Sequence, residues 1–469
     1  MTLSVGHFIR AGSGTVLSQI VALICVPILF RLYSPEAFGA WAATMAVVFG
    51  IGSVATFRYE LAIVSEREHT AASVVFWLTL LVGITFGLLA GALISIFGSR
   101  ILFVGDVTPA PVLAVCVWVV LVAIGQAMQG WLLRDGAFGA NSQIQVCNAL
   151  VTNGVHLLGG WLGGSPLWLI IGSIIGQIVG VSFALTRLFK APPARMMGGW
   201  AALREAAIKH RRFPLFSAPF TLLTIARERA PILVLAAFAS PAQVGFYSQA
   251  WRLVNIPVGL TSGALRPVLF HTAAAEGLAA QELRIARVLM VIALLGAPWL
   301  GILAYDPQAA FGIVLGEAWR NAGTLAAILA VPAFFFALSN WMDRFLDLQG
   351  RQDINLWTEL VATVLSVGVL WLCLYNDVGL ITATLIQALV LALCYVGFMV
   401  VTYRVIGFSR AILVKVIALS IGLAVLFGGL TFLVGAQSLS IAVTLVLSAT
   451  AATLFGMIMA VRSMPGGMN

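Results

Sequence analysis

Apolar runs bounded by charge, proline or glycine recur along the whole chain. A helix rises about 1.5 Å per residue, so about 20 apolar residues cross a hydrocarbon core roughly 30 Å thick. On that criterion fourteen spans are predicted, near 12–31, 38–58, 72–97, 111–133, 144–163, 166–187, 214–239, 245–267, 287–305, 322–345, 355–376, 378–401, 411–434 and 439–461. Two of the breaks are short, but Gly163-Gly164-Ser165-Pro166 and Asn376-Asp377 supply turn chemistry there. The predicted fold is therefore an all-α polytopic membrane protein. Its first run, from Gly12 to Phe30, continues into Arg31-Leu-Tyr-Ser-Pro without a small-x-small cleavage pattern and is kept as a helix.

One span breaks the pattern. The seventh carries Arg227, Glu228 and Arg229 in the middle of an otherwise apolar stretch. A charge at the bilayer centre costs about 2.5–3.5 kcal/mol on insertion scales unless it meets water or a partner. Helical neighbours lie about 100° apart, so the three side chains cannot share one direction. Arg227 and Arg229 become candidates for a polar cavity, with Glu228 as a partner; a self-neutralising cluster at a helix contact is the other reading.

The halves of the chain repeat. Ser34-Pro-Glu-Ala-Phe-Gly-Ala-Trp41 follows the first span, and Ser240-Pro-Ala-Gln-Val-Gly-Phe-Tyr247 follows the seventh. In each, Ser can cap a helix and Pro fits its first position; Gln243 completes capping-box spacing in the second. Each copy leads into a span ending in an arginine, Arg58 and Arg266. The expected organisation is two six-helix bundles related by a parallel repeat, plus two C-terminal helices, with a substrate site between the halves. The divisions are 1–190, a basic linker at 191–213, 214–401, and 402–469. Within the linker, Trp200, Leu203, Ala207 and Ile208 fall near one face, so an interfacial helix and a plain basic loop are both open.

Composition adds class and sidedness. Of 469 residues 61% are hydrophobic and 9% charged, with a mean hydropathy of +1.04, which excludes a soluble fold. The net charge of +9 has no soluble basic face to serve, so nucleic acid is not a partner. Topology accounts for the charge instead. Twenty of the 26 basic residues lie on the side of the termini, three on the opposite side and three within spans, which predicts an inner-membrane protein with both termini cytoplasmic. Cys25, Cys116, Cys147, Cys373 and Cys394 sit unpaired in apolar stretches and are expected to be small buried hydrophobes.

The chain resembles the polysaccharide-biosynthesis flippases, within the superfamily that also holds the multidrug extruders and lipid II flippases. The carrying residues are Arg31-Leu-Tyr-Ser-Pro-Glu-Ala-Phe-Gly39, Val244-Gly-Phe-Tyr-Ser-Gln-Ala-Trp-Arg-Leu253, Ala264-Leu-Arg-Pro-Val-Leu-Phe270, Leu315-Gly-Glu-Ala-Trp319 and Leu348-Gln-Gly-Arg351. The resemblance implies a two-bundle transporter that moves an isoprenoid-pyrophosphate-linked oligosaccharide from the cytoplasmic to the periplasmic leaflet by alternating access. It also implies that Glu228-Arg229 matches an acidic-basic pair common in the seventh span of the family. Implied partners are the lipid-linked oligosaccharide and membrane lipids, with the glycan polymerase and chain-length machinery as further candidates.

The residues agree on the sign of the cargo, because arginine offers an always-charged planar fork suited to phosphate. The substrate-binding candidates are Arg227, Arg229, Arg252, Arg58 and Arg266, with Arg10 behind them. Arg10, Arg58 and Arg266 read first as positive-inside anchors at helix ends, and Arg252 fits snorkelling equally. The chain has no G-K-[ST], HExxH, paired-cysteine or GxSxG motif, so neither nucleotide hydrolysis nor an enzyme role is expected and no cofactor is required. Proton or sodium coupling remains, with Glu228, Asp343 and Glu359 as candidate carriers. A cation-coupled drug exporter would want carboxylates in its first span, and residues 12–30 have none. A lipid II flippase would share the cavity sign. A glycan polymerase or ligase would need a large loop on the side opposite the termini, and those loops are all short.

Overall fold

The computed structural model describes residues 5–97, 109–189, 192–194 and 199–434. The chain divides into two compact units, Met1–Ser248 with Leu370–Leu380, and Gln249–Val369 with Ile381–Asn469. In the first unit the helices are α1 (Val5–Leu32), α2 (Pro35–Gly52), α3 (Tyr59–Ser65), α4 (His69–Phe97), α5 (Pro109–Arg134), α6 (Phe138–Trp161), α7 (Pro166–Leu188), α8 (Gly199–Lys209) and α9 (Ala218–Phe238), and α10 (Pro241–Val254) begins there. The second holds α11 (Ile256–Glu276), α12 (Glu282–Tyr305), α13 (Pro307–Leu315), α14 (Arg320–Ser339), α15 (Asp343–Leu348), most of α16 (Gln352–Tyr375), α17 (Leu380–Ile406) and α18 (Arg410–Val434).

Among the described residues eight helices are long and apolar enough to cross a membrane, and an apolar stretch of α1, Leu17–Leu32, is shorter. The predicted span 439–461 lies outside the described residues. Three predicted spans are interrupted. The second ends as a helix at Gly52 and finishes in a turn, with α3 following just past its predicted end; the eighth is α10 and α11 meeting at Asn255, and the tenth is α14 followed by α15. The cysteines are free and half-buried rather than buried.

Helix starts follow the sequence closely. Ser34 accepts a hydrogen bond from the Ala37 amide, with Pro35 opening α2. At α10 the capping box closes both ways: the Gln243 side chain accepts from the Ser240 amide (3.0 Å), and Ser240 Oγ accepts from the Gln243 amide (3.4 Å). Ser165 caps α7 ahead of Pro166.

Inside the first unit the two copies of the repeat motif meet. A Cβ added at Gly39 would overlap the Pro241 carbonyl, and one added at Gly245 would overlap the Pro35 carbonyl. Each glycine thus lets its helix lie on the first turn of the other. Lipid tails are as apolar as leucine, so close backbone approach and interhelical polar contacts hold such helices together. The same device joins α6 to α7: Gly172, Gly176 and Gly180 open a groove that receives His156, Thr152 and Asn148. Asn148 donates to Gln177 (3.3 Å), Thr152 to Asn148 (3.2 Å), and the Trp41 indole to Ser173 Oγ (3.1 Å).

At the end bearing the arginine-rich loops, α8 lies against this unit. The linker forms a helix here rather than a plain loop; its Leu203 and Ala206 are buried, whereas Trp200 and Ile208 are exposed. Tyr59 Oη donates to the Ala207 carbonyl, and Trp77 Nε1 donates to the Ala194 carbonyl. Lys209 Nζ lies 2.6 Å and His210 Nε2 3.2 Å from the Glu66 carboxylate.

The second unit has a core of Ile285, Leu289 and Ala293 on α12 with Trp341, Met342, Phe345, Met399 and Tyr403. There α12 packs on α18 and α14, and α11 on α14 and α15.

Two outcomes test this packing. Gly39→Ala should cost about 1–3 kcal/mol by overpacking, read as a lower thermal midpoint in detergent, while Gly50→Ala, with nothing within 4 Å of its Cβ, should not. The hydrogen bond from Lys209, opposed by partial burial and helped by the charges of Lys209 and His210, holds Glu66 below the ordinary glutamate value. Docking of α8 should therefore be complete above about pH 4.3 and loosen as pH falls through the lowered value. Hydrogen exchange in α8 should rise on acidification, and Glu66→Gln should remove that pH dependence.

Candidate functional site

The charged cluster of the seventh span lies within α9. Arg227 is buried, at 5% exposure, and Glu228 and Arg229 are half-buried. Pro231 stands inside the same helix. Proline has no amide hydrogen, so the Arg227 carbonyl loses its i+4 donor beside the charges. Helix α9 packs on α2, where the Arg229 guanidinium lies 6.0 Å from the centroid of the Phe49 ring, at the reach of a cation–π contact.

Beyond Phe49, α2 ends at Gly52 and the chain turns through residues 53–58 before α3. Phe57 (φ 47°) and Arg58 (φ 64°) occupy the left-handed region although neither is glycine. Such positions cost about 1–3 kcal/mol each and persist only where surrounding contacts enforce them. Here the contacts are polar. Arg58 Nη1 lies 3.0 Å from Glu60 Oε1, and Thr56 Oγ1 donates to Glu60 Oε2 at 2.6 Å. Thr56 Oγ1 also lies 3.1 Å from the side-chain amide of Gln126 on α5. Glu60 is 7% exposed and packs over Gly130, where a Cβ would approach its backbone carbonyl and its own Cβ. Glu60 is absent from the predicted set because it lies two residues past the predicted span end. The apolar run Leu61-Ala-Ile-Val64 after it is the signal that the segment continues inward.

In the second unit the structure joins two predicted residues directly. Arg266 Nη2 lies 2.7 Å from Asp343 Oδ2, and Arg266 Nε and Nη2 both donate to the Asn340 carbonyl. The Ser262 hydroxyl and the Asn340 side-chain amide bond one another, and Asn355 Nδ2 donates to the Asp343 carbonyl. Arg266 ties α11 to the turn between α14 and α15. Arg252 on α10 and Glu359 on α16 are half-buried. The arginines ending the second and eighth spans thus each pair with a carboxylate of their own unit. Among the described residues no group of three His, Cys, Asp or Glu could hold a metal ion.

A family model described as polysaccharide biosynthesis protein matches residues 28–324, well over half of the chain. The chain belongs to the polysaccharide biosynthesis protein family. It is 23% identical over 420 residues to the succinoglycan biosynthesis transport protein ExoT of Rhizobium meliloti (strain 1021), covering 81% of this chain and 78% of that one. Among solved structures it is similar to an inward closed conformation of the lipid II flippase MurJ, with a TM-score of 0.74, 12% identity, and coverage of 96% of this chain and all of the other. It is also similar to an inward-facing multidrug resistance MATE family transporter of the MOP superfamily, with a TM-score of 0.59, 13% identity, and coverage of 87% and 96%. This member of the family therefore has the fold of the MOP-superfamily structures and is a multi-pass membrane protein.

Arg266→Gln, Asp343→Asn and their double variant form a mutant cycle within the second unit. A coupling energy of about 0.5–3 kcal/mol is expected from contacting residues, measured by thermal denaturation in detergent; additive losses would mean that the pair is not formed.

Proposed function

We propose that this protein translocates an isoprenoid-pyrophosphate-linked oligosaccharide from the cytoplasmic to the periplasmic leaflet of the inner membrane for polysaccharide export, by alternating access through a cationic cavity. Both termini and the arginine-rich loops face the cytoplasm. The observation that carries this reading is the charge of α9. A buried Arg227 and a half-buried Arg229 occupy the middle of an apolar helix whose proline frees a backbone carbonyl beside them. Intramembrane charge at such a cost marks a substrate path by default. A guanidinium fork selects an anion, and a pyrophosphate is the anion that a lipid-linked glycan carries.

Family membership supports the polysaccharide context, and the transport role in the name of the succinoglycan relative supports export of a repeat unit. Lipid II is the second reading, favoured by the fold likeness to MurJ over nearly the whole chain. It presents the same pyrophosphate on the same kind of lipid, so Arg227 and Arg229 serve either cargo. Coupling to a proton or sodium gradient rests on the carboxylates at depth, Glu228, Asp343 and Glu359, and on Glu60.

The test is the sidedness of lipid-linked glycan in cells carrying the wild type, a deletion, or Arg227→Ala/Arg229→Ala, read with a probe that cannot cross the inner membrane. The deletion and the double variant should both trap the glycan on the cytoplasmic face while the variant protein inserts at normal abundance. Normal crossing in the deletion strain, with no second flippase expressed, would refute the function; normal crossing in the double variant alone would refute the site.

A further inference from the structure

The Arg58–Glu60 pair has features that an anchor at a helix end does not need. A helix-end arginine can snorkel to water without distorting the backbone. Arg58 is instead held in the left-handed region, beside a second left-handed residue, and its guanidinium is turned onto a carboxylate 7% exposed. Glu60 holds that geometry through both oxygens, one toward Arg58 and one toward Thr56. Arg58 itself keeps a side-chain exposure of 27%, and its Nε makes no hydrogen bond among the described residues. That Nε is itself enclosed, so the partly exposed remainder of the guanidinium side chain is what an anion can reach, while the carboxylate partner is buried.

We propose that Arg58 and Glu60 form a proton-linked anion latch. In the unloaded state Arg58 is paired with ionised Glu60. An anionic phosphoryl oxygen reaching Arg58 draws the guanidinium away, and a buried carboxylate left without its cation is strongly disfavoured. Glu60 then takes one proton from the water at the basic end, forms a neutral acid and can keep its hydrogen bond with Thr56. No bond other than the O–H of Glu60 is made, and nothing is oxidised or reduced. On release the order reverses: Glu60 gives the proton back and recaptures Arg58. The left-handed turn at residues 57–58 is where the backbone can relax when the pair opens. This inference rests on the anionic cargo proposed above.

Other charged groups on the surrounding elements have partners elsewhere. His69 at the start of α4 packs edge-on against Trp131, and Arg134 on α5 donates to the Glu66 and Arg67 carbonyls. Lys209 and His210, following the docked α8, lie on Glu66. On α9, packed against α2, Arg229 lies over Phe49, with Arg227 and Glu228 beside it in sequence. Arg58 is the charged group that the structure places on the Glu60 carboxylate.

Calorimetric titration of the purified full chain with farnesyl pyrophosphate, repeated in buffers of different ionisation enthalpy, counts the protons taken up per ligand bound. The wild type should take up as much as one proton more than Glu60→Gln at the same pH. Its affinity should weaken as pH rises, while that of Glu60→Gln should be several-fold tighter and free of this dependence. Arg58→Gln/Glu60→Gln removes both charges and serves if the single variant does not fold; it should show no excess proton uptake and weaker binding. Equal proton uptake by wild type and variants would overturn the latch and leave the anionic cargo standing. Failure of the wild type to bind farnesyl pyrophosphate would overturn both.

Discussion

An ionised side chain inside an apolar slab has three ways to exist: paired with an opposite charge, reached by water, or held ready for a charged ligand. That constraint sorts the arginines of this protein better than their positions along the chain do. Arg58 and Arg266 are paired, each with a carboxylate of its own unit, and each pair is set in further hydrogen bonds from neighbouring helices. Arg227 and Arg229 are distinguished by their depth in α9 and by the proline that disrupts hydrogen bonding beside them. The scaffold around them follows from the same physics. With no hydrophobic force to drive one helix against another in lipid, glycines that let backbones touch and polar ladders such as His156-Thr152-Asn148 supply the cohesion.

The repeat gives these features a common origin. The motif Ser-Pro followed by glycine four residues after the proline starts both α2 and α10, and its glycines are what permit Gly39 and Gly245 to lie on each other's first turn. The motif therefore has two jobs. Serine and proline start the helix, and glycine removes the side chain that would keep the two copies apart. Further along, each copy leads to an arginine paired with a carboxylate, but the partners differ: Glu60 is two residues away in sequence, and Asp343 is brought in from another helix.

Features governed by local chemistry were legible in the sequence. The capping box at Ser240 and Gln243, the start of α2 at Ser34-Pro35, and the turn before Pro166 are written in short-range patterns and are found as expected. The break after Gly52 was not legible, because Phe57 and Arg58 are not turn residues and adopt positive φ only through contacts such as that of Glu60. For the same reason a window of hydropathy ran the second span to residue 58 and left Glu60 outside it. In α8 the sequence placed Trp200, Leu203, Ala207 and Ile208 near one face, but which of them the fold buries depends on tertiary packing: Leu203 is enclosed and Trp200 and Ile208 are not. Arg58 and Arg266 were visible as candidates, but their carboxylate partners depend on tertiary contacts.

The most direct test of the central claim uses the protein alone. Proteoliposomes would contain only this chain and a fluorescent isoprenoid-pyrophosphate glycan in both leaflets, and dithionite added outside would bleach what it can reach. If the protein moves this cargo, bleaching should extend to the inner-leaflet pool, and an isoprenoid glycan carrying no phosphate should remain protected. Bleaching confined to the outer leaflet with an imposed proton or sodium gradient of either sign, or equal movement of the uncharged glycan, would contradict transport through a cationic path.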